Sequence, residues 1–314
     1  MIDFLAKRIL LAFVQVFIVS TLVFLLIHMM PGDPAVLALG TDRGADPAAV
    51  AQMRHTLGLD KPLLAQYGTW ISNLTRFNLG NSITDQTPVK SYILQRLPRT
   101  IELAIAAIVI ALMIGIIFGL IAALKRETFV DLITTSAAAL GISLPVYVLG
   151  TLIIIIFSLN LNWLPASGYI ELSEDPLKHF VHLILPAITL ALGLAASIIR
   201  MTRSSILEVL NGEFVQTLRA KGLPEKYVIF KHVLRNALIP IVTITGLQLG
   251  NLIGGTVLIE YLFNWPGLST LLVKAITYRD YPLIEGCIFI ISMFYILINL
   301  AVDVLYGVLD PRVR

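Results

Sequence analysis

Charged residues are scarce in this chain, and that shortage decides its class. Only 14% of the 314 residues are Asp, Glu, Lys or Arg, whereas 57% are hydrophobic. Soluble globular domains carry about 25% charged residues, and the mean hydropathy here is +0.86. A soluble globular domain is therefore excluded, and the composition indicates an all-α integral membrane protein with lipid as its outer solvent.

Cysteine, excess charge and nucleotide-binding motifs are also lacking. The one cysteine, Cys287, can form neither an internal disulfide nor a cysteine metal cluster. The net charge of +3 comes from scattered loops, so no nucleic-acid partner is expected. The sequence contains no GxxxxGK[ST] loop, and no carboxylates are paired at a spacing suited to an intramembrane enzyme. We therefore expect no catalytic residue, no bound metal and no cofactor in this chain.

Long uncharged segments predict six membrane-spanning helices. The first, 9–30, has 22 residues without Lys, Arg, Asp or Glu, enough to cross a hydrocarbon core of about 30 Å at 1.5 Å per residue. A cleaved signal peptide is the alternative for this segment, but its apolar core is too long and no clear small-x-small cleavage site follows it. The other predicted spans are 103–124, 132–159, 180–199, 236–259 and 286–302.

The distribution of Lys and Arg predicts the orientation. If the N-terminus is cytoplasmic, 13 basic residues lie on that side, and the two short outer loops hold only Lys178, Lys274 and Arg279. Seven more lie in a long extracytoplasmic loop, 31–100, where the positive-inside rule has little weight. Both termini are therefore predicted to be cytoplasmic, in a single transmembrane domain over 1–314 with a five-helix core at 101–307.

The long outer loop is predicted to contain short helices of its own. Asp46 and Pro47 begin a helix that ends near Gly58, apolar residues recur at helical spacing after Pro62, and a third helix starts at Pro88. Such amphipathic helices can lie on the membrane face or dock a soluble partner, and the pattern slightly favours the membrane face.

Small and polar residues recur in the fifth predicted span. Gly246, Gly250 and Gly254 are four residues apart, a spacing that lets another helix approach closely. The candidate lining of a solute pathway consists of Thr245, Gln248 and Asn251. Amides in a lipid-buried helix need a polar partner or a wet cavity, so helix packing and pathway lining are both open for these side chains.

Ionisable residues near the ends of the spans raise the alternative of a proton relay. They are Glu102, Glu285, Asp303, His28 and His182. Each stands apart in the sequence, and end positions let carboxylates reach the interface. Snorkelling or a structural hydrogen bond is therefore favoured for each of them.

The cytoplasmic loop 204–235 is predicted to hold a short helix below the membrane. Asn211 is expected to cap a helix over 212–221, and Gly222 is expected to end it in the left-handed conformation. Pro224 then begins a second helix that runs toward the fifth span.

Apolar side chains on that short helix suit insertion into a groove on a soluble partner. Phe214, Val215 and Leu218 lie among polar neighbours. A solvated basic connection that obeys the positive-inside rule is the alternative, and the physical pattern leaves the two open.

Several blocks of this sequence resemble one family throughout. The run at 213–243 is EFVQTLRAKGLPEKYVIFKHVLRNALIPIVT. Further matching blocks are HMMPGDPA at 28–35, LGLDKPLLAQY at 57–67, RMTRSSILEVL at 200–210, FNWPGLSTLL at 263–272, RDYP at 279–282 and DVLYGVLDPRVR at 303–314. In this order they resemble the permeases of binding-protein-dependent ABC importers, in the dipeptide, oligopeptide and nickel subfamily. The PGDP block and the long outer loop resemble the first, B-type, permease subunit.

The resemblance implies six transmembrane helices in the type I ABC importer permease (MetI-like) fold. It also implies four kinds of partner: a second homologous permease in a heterodimer, two ABC ATPase subunits that bind ATP and Mg²⁺, an extracytoplasmic solute-binding protein, and the lipid bilayer of the bacterial inner membrane. The ATPase-coupling residues that it implies are Glu213, Phe214, Thr217, Leu218, Arg219, Ala220, Lys221 and Gly222. Gln216 and Leu218 depart from the Arg and Ala that relatives often carry there, and Ser269 departs from a usual glycine.

The implied function is import of dipeptides or oligopeptides, with ATP hydrolysed by separate subunits and not by this chain. Import of nickel, a metal chelate or glutathione by the same family is the alternative. An ion-coupled secondary transporter is a further alternative, but it predicts clustered carboxylates and inverted repeats, and neither is evident in the sequence.

Overall fold

The structure is a computed structural model that describes residues 2–29, 35–36, 46–56 and 58–309, with the backbone alone at 2–5, 250, 251, 253 and 305–309. Parts of the HMMPGDPA, LGLDKPLLAQY and DVLYGVLDPRVR blocks, and the predicted cytoplasmic C-terminus, lie outside the described residues. The main helices are, in chain order, α1 (Ile2–Met29), α2 (Pro47–Thr56), α3 (Leu63–Thr75), α4 (Val89–Leu124), α5 (Phe129–Ser143), α6 (Val146–Ile153), α7 (Pro176–Leu210), α8 (Glu213–Ala220), α9 (Glu225–Tyr227), α10 (Leu234–Leu262), α11 (Leu268–Tyr278) and α12 (Tyr281–Leu309). A π-helical segment extends α6 through Ile154–Asn160, and another, Val228–Val233, joins α9 to α10.

The helical class predicted from composition is confirmed, since the described residues contain helices and one isolated bridge between Asn81 and Pro88. Five helical segments are long and apolar enough to cross a membrane, and a sixth span results if α5 and α6 count together. The described residues of five of the six predicted spans therefore lie within continuous helices, as expected.

The third predicted span, 132–159, is wrong as one continuous helix. The chain bends by 111° between α5 and α6. Leu144 is extended, with φ −86° and ψ 130°, and Pro145 precedes the first residue of α6. Proline disfavours helical geometry in the residue before it, which explains a break at this point in an otherwise uniformly apolar segment.

Two other helix predictions need correction. No separate third short helix starts at Pro88, because Val89 begins the 36-residue α4, which continues through the predicted second span. The sequence pattern also did not predict α11, which has 11 residues and is followed by Arg279 in a left-handed conformation. The helices predicted after Asp46 and Pro62 are confirmed as α2 and α3.

The described chain divides into two compact units. The N-terminal unit comprises Ile2–Thr100 and Pro266–Leu297, and the core unit comprises Ile101–Trp265 and the segment that starts at Ile298. The prediction of one transmembrane domain over 1–314 stays a prediction.

Within the N-terminal unit, α3 packs against α1. The Trp70 indole Nε1 donates to the carbonyl oxygen of Ser20 at 3.3 Å, and the hydroxyls of Tyr67 and Thr21 are 2.7 Å apart. Trp70 and Leu74 are buried in an apolar cluster with α1, α11 and α12. The apolar stripe of α3 is thus covered by its own chain, while Leu63 and Leu64 at its start remain exposed.

Within the core unit, small residues let helices approach closely. A Cβ at Gly115 or Gly119 of α4 would lie 2.4 Å from Ile198 or 2.5 Å from Thr202 of α7. A Cβ at Gly246 of α10 would lie 2.6 Å from Val302. These contacts confirm close helix packing for Gly246, and Gly115 and Gly119 pack in the same way, whereas no described atom lies within 4 Å of a Cβ at Gly254.

Candidate functional site

The predicted loop helix exists as α8, with a different N-terminus. Gly212 is the residue before its first turn, with φ −68° and ψ 143°, and it offers no side chain for a cap. Asn211 ends α7 with φ −82° and ψ −4°, so the prediction that Asn211 caps α8 is wrong. The physical reason is that α7 continues to Leu210, which leaves Asn211 in the geometry of a helix end. Glu213 in the first turn and Arg219 in the last turn still complement the helix dipole.

The left-handed stop after α8 is confirmed. Gly222 has φ +75°. Its N–H donates to Arg219 O at 2.9 Å, and the N–H of Leu223 donates to Leu218 O at 3.4 Å. The bond back from Leu223 is characteristic of a Schellman-type helix end, in which glycine avoids the steric cost of positive φ.

One face of α8 is anchored in the core unit. Val215 is 0% exposed and belongs to a cluster that includes Ile206 of α7 and Val228 and Val233 of the π-helical segment. Leu218 packs partly against the same cluster. Of the three apolar residues predicted to enter a partner groove, Val215 is therefore excluded because its own chain buries it, and only Phe214 is exposed, at 43%.

The rest of the surface of α8 is open. The exposed residues of the predicted coupling set are Glu213, Phe214, Thr217, Arg219, Ala220, Lys221 and Gly222. Arg219 donates to Glu225 through Nε at 3.1 Å and Nη2 at 2.5 Å. Donation to the Glu225 carboxylate raises the pKa of Arg219 further above its ordinary value, so Arg219 stays charged. The exposed surface of α8 therefore presents the aromatic ring of Phe214 and the permanent positive charge of Arg219.

A second ion pair in the core unit was not singled out from the sequence. Arg203 of α7 donates to Asp131 of α5 through Nε and Nη2, each at 2.7 Å. Arg203 lies in one of the blocks that resemble the ABC importer permeases, and Asp131 lies in an otherwise apolar segment 72 positions earlier. Sequence spacing contains no signal for their pairing, although a carboxylate at the start of an apolar helix could have flagged Asp131.

The candidate pathway residues have their own hydrogen bonds where they are described. Thr245 Oγ1 donates to Ile241 O at 2.7 Å within α10. Gln248 Nε2 donates to Ser197 Oγ of α7 at 3.0 Å, so this amide joins two helices. The side chain of Asn251 lies outside the described residues. A role in pathway lining stays a prediction for all three.

Glu102 is hydrogen-bonded to a buried histidine of the core unit. His179 is 1% exposed, and its Nε2 lies 2.6 Å from Glu102 Oε1 while its Nδ1 lies 2.6 Å from Ile170 O. Since a carbonyl oxygen only accepts, Nδ1 carries a proton. The structural hydrogen bond favoured for Glu102 is confirmed, with a partner 77 positions away that the sequence pattern does not indicate.

The histidines considered for a proton relay also make local contacts. His28 Nε2 lies 3.1 Å from Gln66 Oε1, and His182 Nδ1 lies 2.7 Å from Lys178 O. The partners in these contacts are an amide and a backbone carbonyl, which do not titrate, so these contacts do not form a proton relay.

Asp280 joins several segments at one end of the N-terminal unit. It is buried and accepts hydrogen bonds from the Ser82 hydroxyl, from Ile83 N at 3.2 Å, from Thr84 Oγ1 at 3.2 Å and from Leu283 N at 3.3 Å. The RDYP block thus holds the turn before α4 against the start of α12.

Comparisons with known proteins agree with this architecture. Residues 115–314 match the family "Binding-protein-dependent transport system inner membrane component", and residues 1–104 match "Binding-prot-dependent transport system membrane comp, N-term". The glutathione transport system permease protein GsiC of Escherichia coli O6:H1 is 44% identical over 314 residues, covering 100% of this chain and 99% of the relative. A putative peptide transport system permease protein of Brucella abortus is 43% identical over 308 residues, covering 98% of each chain.

A solved structure supports the fold. The MetNI methionine ABC transporter in inward-facing conformations aligns with a TM-score of 0.57 at 18% identity, covering 70% of this chain and 96% of that chain. The likeness supports the MetI-like helical fold predicted from the sequence blocks. The chain therefore belongs to the family of binding-protein-dependent transport system inner membrane components, and it is a multi-pass inner-membrane permease subunit of an ABC importer.

Proposed function

We propose that this subunit forms part of the translocation pathway for small peptides and is driven through α8 by separate ATPase subunits. The observation that carries the proposal is the two-faced character of α8. Val215 anchors one face in the core unit, while Phe214 and Thr217 are exposed on the sides of the helix that point away from Val215. A short helix that is buried on one side by its own chain and exposed on the other can insert its exposed side into a groove on a soluble partner.

The anchor gives movement of α8 a route into the bundle. Val215 shares a cluster with residues of α4, α7 and α10, among them Ala123, Ile206 and Ile241. Close-packed interiors transmit displacement because they have little free volume. A shift of α8 caused by an ATPase would therefore be passed to several helices of the core unit.

The partners follow from what the chain contains. The sequence has no GxxxxGK[ST] loop, so ATP and Mg²⁺ belong to the separate subunits. A second permease and an extracytoplasmic binding protein complete the proposed complex. We propose that both termini are cytoplasmic, because the loops on that side would carry most of the basic residues.

Small peptides are the proposed substrate class. One full-length relative is named as a glutathione permease and another as a putative peptide permease. Glutathione is itself a tripeptide, so one chemical class includes both names. Glutathione and unmodified tripeptides are therefore the first solutes to compare.

Reconstitution tests this proposal. The chain, its second permease, the ATPases and the cognate binding protein are placed in proteoliposomes with ATP on the ATPase side, and uptake of labelled peptides is measured. We expect uptake that requires ATP and the binding protein. Uptake that persists without the ATPases but stops when an ion gradient is collapsed would instead support the secondary-transporter alternative, and transport only of a nickel chelate would refute the substrate class.

A further inference from the structure

A bidentate ion pair joins α5 to α7 near the end of α7 that leads into α8. Both Arg203–Asp131 contacts measure 2.7 Å, and Asp131 is 5% exposed. Asp131 also accepts the N–H of Glu127 at 3.1 Å, which ties the turn before α5 to the same carboxylate. Two parallel charge-assisted hydrogen bonds fix orientation more strongly than a single contact does.

The rest of the α5–α7 contact contains small and apolar side chains. Ala138 of α5 is clustered with Ala196 and Ile199 of α7. A Cβ at Gly141 would lie 3.3 Å from the Ala196 Cβ. Apolar contact is not directional, and small residues offer few protrusions that resist sliding. The ion pair is therefore the contact in this interface best suited to set the register of α5 on α7.

The chain links this ion pair directly to α8. Arg203 lies on α7, which ends at Leu210, and only Asn211 and Gly212 separate it from α8. Ile206 of α7 and Val215 of α8 are buried in one cluster. A displacement of α8 therefore acts on the segment of α7 that carries Arg203.

We propose that the Asp131–Arg203 pair is the positioning link through which movement of α8 reaches α5 and the bent α5–α6 pair. This inference rests on the proposed function of α8. Its proposed role is to position helices and not to bind solute. It keeps the first turn of α5 in register with α7, so that α5 follows α7 when α8 is displaced.

The variants must distinguish a loss of coupling between α8 and α5 from a loss of subunit stability. Removing one partner leaves a buried charge unpaired and is expected to destabilise the subunit. The double variant Asp131→Leu/Arg203→Met replaces both groups by apolar side chains, a change that often preserves stability. Arg203→Lys keeps the charge but loses the planar fork. Lys178→Gln is the matched control, because it removes the 3.1 Å ion pair with Asp175 at the other end of α7.

The decisive readout is solute imported per ATP hydrolysed by the complete reconstituted complex. We expect the double variant to retain its unfolding temperature and to lose at least about fivefold in this ratio, the lower end of typical coupling between sites. The ratio for Arg203→Lys should lie between those of the double variant and the wild type, and the ratio for Lys178→Gln should equal that of the wild type. A wild-type ratio in the stable double variant would overturn the inference, because a merely structural pair is replaceable by apolar contact.

A second measurement needs no partner subunit. Spin labels at Leu132 of α5 and Gln216 of α8, both exposed, report their separation in the subunit alone in lipid nanodiscs. We expect a narrow distribution in the wild type and a broader one in the double variant, and equal widths would overturn the inference. If the wild-type complex imports nothing, the proposed function is refuted, while the label distances still decide whether the pair holds α5 in register with α8.

Discussion

Replacement of Gly222 by valine tests whether α8 must be held in one geometry. Gly222 has φ +75°, and among the described residues no atom lies within 4 Å of the position that a Cβ would take. A substitution at Gly222 therefore causes no clash with neighbours at Cβ, and its cost comes from the backbone. That cost is about 1–2 kcal/mol for a residue with a Cβ in the left-handed region, and it is largest for a β-branched residue.

This backbone cost changes how often α8 ends in its native geometry. A penalty of about 1–2 kcal/mol lowers the population of the native helix end about 5- to 30-fold relative to alternatives. The Leu223 N–H to Leu218 O bond would be lost in those alternatives, and with it the direction in which the chain approaches Pro224. We expect Gly222→Val to remain inserted in the membrane and to lose uptake and solute-stimulated ATP hydrolysis together.

The matched control is Gly222→Asn, which adds a side chain at the same open position but tolerates positive φ. Uptake and ATPase activity are measured at equal amounts of assembled complex. Asparagine should retain most of the activity that valine loses. Normal activity in Gly222→Val would show that the helix end is not a functional constraint, and the assignment of the coupling residues would be withdrawn.

Further predictions concern α8 and the orientation of the chain. Glu213→Lys should reduce coupled uptake more mildly than Gly222→Val, because the dipole interaction that it reverses amounts to about 0.3–1 kcal/mol; an effect equal to that of valine would contradict this. Phe214→Ala should weaken ATPase binding without changing thermal stability. Val215→Ala should instead lower the free energy of unfolding by about 2 kcal/mol. The reverse pattern in binding and thermal-shift assays would refute the assignment of one buried and one exposed face to α8. A cysteine at Ser173 should be labelled from outside intact cells and one at Gln216 only after permeabilisation; the native Cys287 is buried and gives little background.

The sequence predicts those features of this fold that depend on composition or on one residue. Long apolar runs predicted the membrane spans, and the glycine at position 222 predicted a left-handed helix end that the structure contains. The size of the 111° bend at Pro145 was not predicted, because proline is compatible with a mild kink as well as a full break. The 11-residue α11 was missed since it is too short to show a spanning run.

Pairings between distant residues were beyond prediction for a different reason. Glu102 and His179 are 77 positions apart, and Asp131 and Arg203 are 72 apart. A single sequence records which side chains are ionisable but not which helices are neighbours. The burial of Val215 was missed in the same way, since an apolar residue on a short exposed helix can face its own chain or a partner.

The bend between α5 and α6 has a consequence for biogenesis. The α5 helix has 15 residues, and α6 with its π-helical extension has 8 and 7. Each half is therefore about 22 Å long at 1.5 Å per residue, which is short of a hydrocarbon core of about 30 Å. Neither half alone is therefore long enough to span the core. The contacts that hold α5 in the folded subunit, with Ala196, Ile199 and Arg203, all come from α7, so they form only after synthesis has continued into α7.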